Sequence, residues 1–190
     1  MLQVMGRALK LLLVMTLLTG IAYPLVVTGL AKVIFPKQAD GSLLNEDGNP
    51  IGSVLIGQNF SDPRYFHSRP SAAGQDGYDA ANSSGSNKGP TNKVFLDQVA
   101  QRAEDVRSEN GLSPNTPVPG DLITASASGL DPHISPDAAQ IQVVRVARIR
   151  NLSEEKVRDL VNKYTEGRQL GFLGEPRVNV LKLNFALDSL

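Results

Sequence analysis

Two histidines, His67 and His133, are the obvious starting points for chemistry in this chain. With Asp76, Asp79 or Asp131 they could ligate a metal ion, but no ligand spacing links them. Exposed or internally satisfied loop histidines are the plainer reading. The pair Ser153–Lys156 has the S-x-x-K spacing of an acylating serine. A serine capping a helix N-terminus explains it fully, which leaves little support for a nucleophile. Phosphate-loop, H-E-x-x-H and G-x-S-x-G patterns do not occur. Cysteine is absent, which excludes disulfides, thiolate zinc sites and cysteine nucleophiles. Lys plus Arg and Asp plus Glu both number 19, and this balance argues against nucleic acid as a partner.

Three segments are denser in information. Residues 55–60 (LIGQNF) and 65–71 (YFHSRPS) combine amides, aromatics and an arginine. Such a mixture builds either an internal polar network or a binding rim. Residues 124–131 (TASASGLD) place small hydroxyl residues shortly before the helix cap at Ser135. They could hold an anion at that helix N-terminus, although capping and turn chemistry accounts for them more simply. Gln142, Arg145 and Arg148 follow one another at three-residue spacing, with Arg150 behind them and no acidic residue between Asp137 and Glu154. This spacing predicts a basic ridge near a helix C-terminus. It is either a solvated face or a dock for an acidic partner.

The elements that must position these residues are mixed. Turn formers at Asp40-Gly41, Asp47-Gly48, Asn49-Pro50 and Gly52 predict a tight bend and a hairpin. Val54-Leu55-Ile56 is a short buried strand at best, and residues 57–92 read as a long loop. An amphipathic helix is expected over 91–109, with Phe95, Val99, Ala103 and Val106 inward and Gly111 as its stop. A proline-rich turn (Pro114, Pro117, Pro119) leads to a strand at 122–125, then a loop to His133. A second helix begins at Pro136 behind Ser135 and runs to about Arg150. A third, capped by Ser153, ends at Gly167. Residues 178–185 close the chain as a strand. No regular βαβ repeat appears, so the class is α+β.

Residues 11–31 carry no charge and lie between Lys10 and Lys32. As a helix they would be roughly 32 Å long, enough to cross a bilayer. The competing reading is a cleaved signal peptide, with Arg7 and Lys10 as its basic region, but the apolar run exceeds the usual length. The expected layout is a short basic cytoplasmic N-terminus (1–10), a transmembrane helix (11–31) and an extracytoplasmic α+β domain (32–190). Flanking charges favour this orientation only narrowly. Thr16, Thr19, Gly20, Tyr23 and Val27 form a stripe on which another helix could pack. Pro24 leaves the Gly20 carbonyl without its helical partner.

These segments in this order resemble one family, the small C subunit of the Kdp-type ATP-driven potassium transporter, a bacterial P-type ATPase complex. The resemblance is carried by Thr19-Gly20, Tyr23-Pro24, Phe35-Pro36, Gln38-Ala39 and Gly41-Ser42-Leu43 near the N-terminus. It continues through 55–60, 65–71, Gly85-Ser86-Asn87 and 124–131. Pro136, Gln142 with Arg145-Val146-Ala147, and the tail from Val178-Asn179 to Leu187-Asp188 complete it. One departure is Val144, where the family often has Pro. The resemblance implies a non-catalytic accessory subunit of the bacterial inner membrane, with a potassium-binding channel-like subunit and an ATP-hydrolysing subunit as partners. It further implies a catalytic chaperone that raises the ATP affinity of the hydrolysing subunit, with Gln142 in nucleotide contact. No cofactor of its own is expected; ATP would come through the partner. An outward-facing domain would keep Gln142 from ATP, which favours docking on the outer face near the ion entrance. Arg145, Arg148 and the Thr16, Gly20 and Tyr23 stripe are then the docking candidates. A membrane-anchored exported hydrolase or ligand-binding module around His67 and Arg69 is the alternative.

Overall fold

The computed structural model describes residues 1–46 and 48–190. The expected turn residue Asp47 lies outside the described residues. The chain divides into two compact units, Met1–Ser53 and Val54–Leu190.

The first unit is dominated by a helix spanning Leu2–Ile34, long and apolar enough to cross a membrane. At 33 residues it is roughly 50 Å long. It consists of α1 (Leu2–Leu17) and α2 (Tyr23–Ile34), joined by a π-type turn over Leu18–Ala22. There the Tyr23 N–H donates to Leu18 O, five residues back. Pro24 is the cause: its ring would crowd the Gly20 carbonyl in a regular helix, and a widened turn makes room. One extra residue in that turn rotates the remainder of the helix by up to about 100°. The stripe therefore splits: Thr16 precedes the widened turn, Thr19 and Gly20 lie within it, and Tyr23 and Val27 come after it. Phe35 leaves helical geometry directly before Pro36, where proline disfavours it. A short α3 (Pro36–Ala39) leads to the expected hairpin of β1 (Leu43–Glu46) and β2 (Asn49–Ser53). Lys32 and Asp40 pair at 3.4 Å, and Ser53 Oγ donates to Gly41 O at 2.7 Å.

In the second unit, Val54–Ile56 turns instead of forming a buried strand, and Leu55 is exposed. Residues 57–92 run without helix or strand, as expected. α4 (Lys93–Glu109) is capped by Asn92, whose side chain accepts from Phe95 N. Its inward stripe is the expected one, and Gly111 (φ 63°) lies just past its end. The strand expected at 122–125 is a 3-10 turn, Gly120–Leu122. The N–H groups of Ile123 and Thr124 both donate to Gly120 O, so they are spent locally before any ladder could use them.

Two α-helices, α5 (Pro136–Gln140) and α6 (Val143–Arg150), replace the single one expected over 136–150. α7 (Glu154–Lys163) is capped by Ser153 as expected, but ends before Gly167 because Thr165–Glu166 joins a sheet as β4. The closing strand is only β5 (Arg177–Asn179), since Asn179 caps a further helix, α8 (Val180–Asp188), by accepting from Lys182 N at 3.0 Å. Val180, Leu183 and Leu187 recur at helical spacing and are all buried. β5 is the centre of a small antiparallel sheet, flanked by β3 (His133–Ile134) and β4. α5, α6, α7 and α8 share one core with it, built from Ile134, Val143, Val146, Val157, Val161, Val178 and Leu183, with Phe66 from the long loop. The fold is thus α+β, on one N-terminal apolar helix.

Leu183→Ala is expected to lower unfolding free energy by about 2–5 kcal/mol, whereas Leu170→Ala, on an exposed turn, should stay within about 0.5 kcal/mol. Urea unfolding of the detergent-solubilised chain, followed by circular dichroism, measures both.

Candidate functional site

The break between α5 and α6 is made by Gln142. In a continuous helix its N–H would donate to Ala138 O; here it donates to Ala139 O, and the side-chain Nε2 takes Ala138 O at 3.0 Å. The same Nε2 reaches His67 O at 3.3 Å. Oε1 accepts from His67 N at 2.7 Å and from Arg145 Nη2 at 2.8 Å. Both donors and both lone pairs of the amide are therefore engaged, and the residue is 1% exposed.

Arg145 is 2% exposed, so the expected basic ridge does not exist as a face. Its Nε donates to Asn110 Oδ1 at 3.0 Å, and its Nη1 to Tyr65 O at 3.0 Å and to Pro63 O. Glu109 lies 3.9 Å away. A guanidinium can be buried on these terms because carbonyl and amide oxygens replace its water. Arg148 is exposed, while Arg150 stacks over the Tyr65 ring at 4.8 Å and pairs with Asp188 at 2.6 Å. Of the three-residue series, only Arg148 remains available at the surface.

The loop that Gln142 holds is held from the other side by Asn184 on α8. Its Oδ1 accepts from Phe66 N and its Nδ2 donates to Phe66 O, both at 2.9 Å. Sequence reasoning gave no role to Asn184, Asn110 or Asn179, although Asn179 lies in the segment that carries the resemblance. The available signal was an amide on the buried stripe of an apolar segment, as in Leu183-Asn184-Phe185. Residues 124–131 pack their backbone on this same loop region. Gly129 (φ 67°) would place a Cβ 2.5 Å from Ser84 O, and Gly57 one 2.8 Å from Asp131 O. Ser71 Oγ donates to Gly129 O at 2.6 Å and Ser83 Oγ to Ser128 O at 2.9 Å. The small residues here permit close approach and make turn bonds; Ser135 caps α5 by accepting from Ala138 N.

A cavity of about 510 Å³ is lined by His67, Ser68, Arg69, Tyr78, Arg102, Glu109 and Gln142 among others. His67 Nδ1 lies 3.4 Å from Glu109. Burial, and then the nearby Arg145, hold the His67 imidazole below its usual range despite Glu109. His133 and Arg69 both meet Asp131, at 3.2 and 3.1 Å. Burial pushes the Asp131 carboxyl up, but the His133 hydrogen bonds and Arg69 outweigh it and hold it below the usual value. The two histidines thus have separate carboxylate partners, and among the described residues no three His, Cys, Asp or Glu side chains gather to hold a metal ion. Ser153 accepts from Lys156 N as a helix cap. Thr16, Gly20 and Tyr23 lie exposed on the apolar helix.

A family model described as "K+-transporting ATPase, c chain" matches residues 5–189. A protein of Methylococcus capsulatus named potassium-transporting ATPase KdpC subunit is 61% identical over 184 residues, covering 96% of each chain. Proteins of the same name are 56% identical in Rhodopseudomonas palustris, over 100% of this chain and 99% of the relative, and 56% identical in Dechloromonas aromatica, over 96% and 95%.

Gln142→Ala should cost at least about 2 kcal/mol of stability, since it orphans the His67 N–H and an Arg145 donor inside the core; thermal unfolding compares it with wild type. Stability should also depend on His67. Folded His67 stays neutral where the unfolded imidazole, near its ordinary value of about 6.5, takes up a proton. Its contribution is complete above about pH 6.5 and is lost as pH falls below it. Unfolding free energies between about pH 7 and 5 should show that slope in wild type and a flatter one in His67→Gln.

Proposed function

The chain belongs to the KdpC family, and we propose that it serves a potassium-transporting ATPase as a non-catalytic, membrane-anchored subunit. The full-length match to proteins of that name carries this reading. The apolar helix supports a single-pass anchor in the bacterial inner membrane. The proposed partners are a potassium-binding channel-like subunit and an ATP-hydrolysing P-type subunit. With the N-terminus inside, the α+β domain faces outward and docks near the ion entrance.

The geometry bears on how such a subunit could act. Gln142 has spent its hydrogen-bonding capacity on His67, Ala138 and Arg145. Contact with a nucleotide would have to break that arrangement, and the buried Arg145 would then lose one of its acceptors. We therefore assign Gln142 and Arg145 to holding the domain's own loop, and leave docking to surface residues such as Arg148. An effect on ATP affinity would reach the hydrolysing subunit through contacts between subunits.

Affinity purification of the tagged chain from membranes in mild detergent should recover a large polytopic protein and a P-type ATPase. Potassium-stimulated ATP hydrolysis of the preparation should fall when the chain is omitted from reconstitution. Recovery of the chain alone, under conditions that keep its helix solubilised, would count against the reading. A reporter fused after Leu190 should be active only outside the cytoplasm.

A further inference from the structure

Between β4 and β5 the chain makes a turn whose side chains are unusual for a surface. Leu170 is 83% exposed, Phe172 68% and Leu173 47%. The turn is cross-braced all the same. Gln169 N donates to Leu173 O and Leu173 N to Gln169 O, both at 2.9 Å, and Arg168 pairs with Glu175 at 2.6 Å across its base. Leu170 sits at φ 53°, a left-handed conformation that leucine rarely adopts. Strain of this kind persists where the surrounding structure enforces it, and it gathers at functional sites.

We propose that this turn is a preformed apolar knob that seats in an apolar pocket of another subunit of the potassium-transporting assembly. The inference rests on the subunit reading. Two observations choose a protein pocket over the bilayer as the occupant. A lipid interface is fluid and asks for no fixed backbone geometry, whereas a braced, strained turn fixes the directions of its side chains, as a shaped pocket requires. The charges at the base neutralise each other, so the knob presents apolar groups within a self-paired polar rim. That matches the core-and-rim pattern of protein interfaces. Attraction to an anionic membrane surface would call for unpaired lysines or arginines there. Of the three apolar side chains, Phe172 is of the aromatic type enriched in the buried cores of protein interfaces.

Two substitutions test it in the full chain. Phe172→Asp should lower recovery of the partner subunits at least about tenfold while leaving the chain folded. Leu170→Gly removes the side chain yet relieves the left-handed backbone, so its Tm should hold or rise while recovery falls. Because the chain has no cysteine, Phe172→Cys also provides a unique thiol in it for a solvatochromic label. Its emission should be water-like when the chain alone is in lipid nanodiscs, and blue-shifted in the assembled complex. Wild-type recovery with Phe172→Asp, water-like emission in the complex, or a blue shift already in nanodiscs would each overturn the knob. Failure of the wild-type chain to recover partners would overturn the subunit reading, and this inference with it.

Discussion

The backbone of Phe66–His67 has no strand or helix to answer its polar groups, and two side-chain amides answer them instead. Gln142 and Asn184 each accept one N–H and donate to one C=O, reproducing from side chains what a neighbouring strand would supply. The elements that pack on the loop accommodate this arrangement. The helix over 136–150 breaks so that Gln142 can face the loop. Phe66 enters the core because its own peptide is satisfied. The long loop becomes a fixed wall, and its cavity is defined.

Arginine chemistry depends on the same loop. Arg145 is solvated by carbonyls that the loop turns inward, at Pro63 and Tyr65, and by amides of Asn110 and Gln142. Five donors in a planar fork suit that role, and lysine could not fill it. Arg150, at the far end of α6, ties the same stretch to α8 through Arg64 O and Asp188. A run of arginines that looks like one electrostatic feature in the sequence is therefore three different things: a buried strut, an exposed cation and a surface tie.

The serine caps and one helix stop were legible because each is a local matter; the asparagine caps at Asn92 and Asn179 were equally local but were not read. Ser135, Ser153 and the stop at Gly111 could be read from neighbours within three or four residues. The apolar helix was legible from charge alone. The other failures share a cause in long-range or competing interactions. Residues 178–185 combine β-branched and apolar types that suit a strand; the Asn179 cap, and burial at 180, 183 and 187, make most of them helix. Residues 122–125 look extended until Gly120 O takes two of their N–H groups. Gln142 and Arg145 were singled out as candidates, but their environment was not legible. It depends on a loop 75 and 80 residues earlier, and three-residue spacing describes a face only if the helix is continuous.

The amide clasp also sets an order of events at the ribosome. Val54, Tyr65 and Phe66 find their partners 125, 123 and 118 residues further along the chain. At ordinary rates of synthesis that is a delay of about 6–25 s during which these three residues have been made but their partners have not. Contacts so distant in sequence also slow the folding search itself. The composition of residues 57–92 suits that wait: glycine, serine, asparagine and aspartate dominate, and no Leu, Ile, Val or Met is present to stick prematurely. The domain can lock fully only when α8 has emerged, so a chain interrupted before Asn184 would leave its central loop held by Gln142 but not by its second amide.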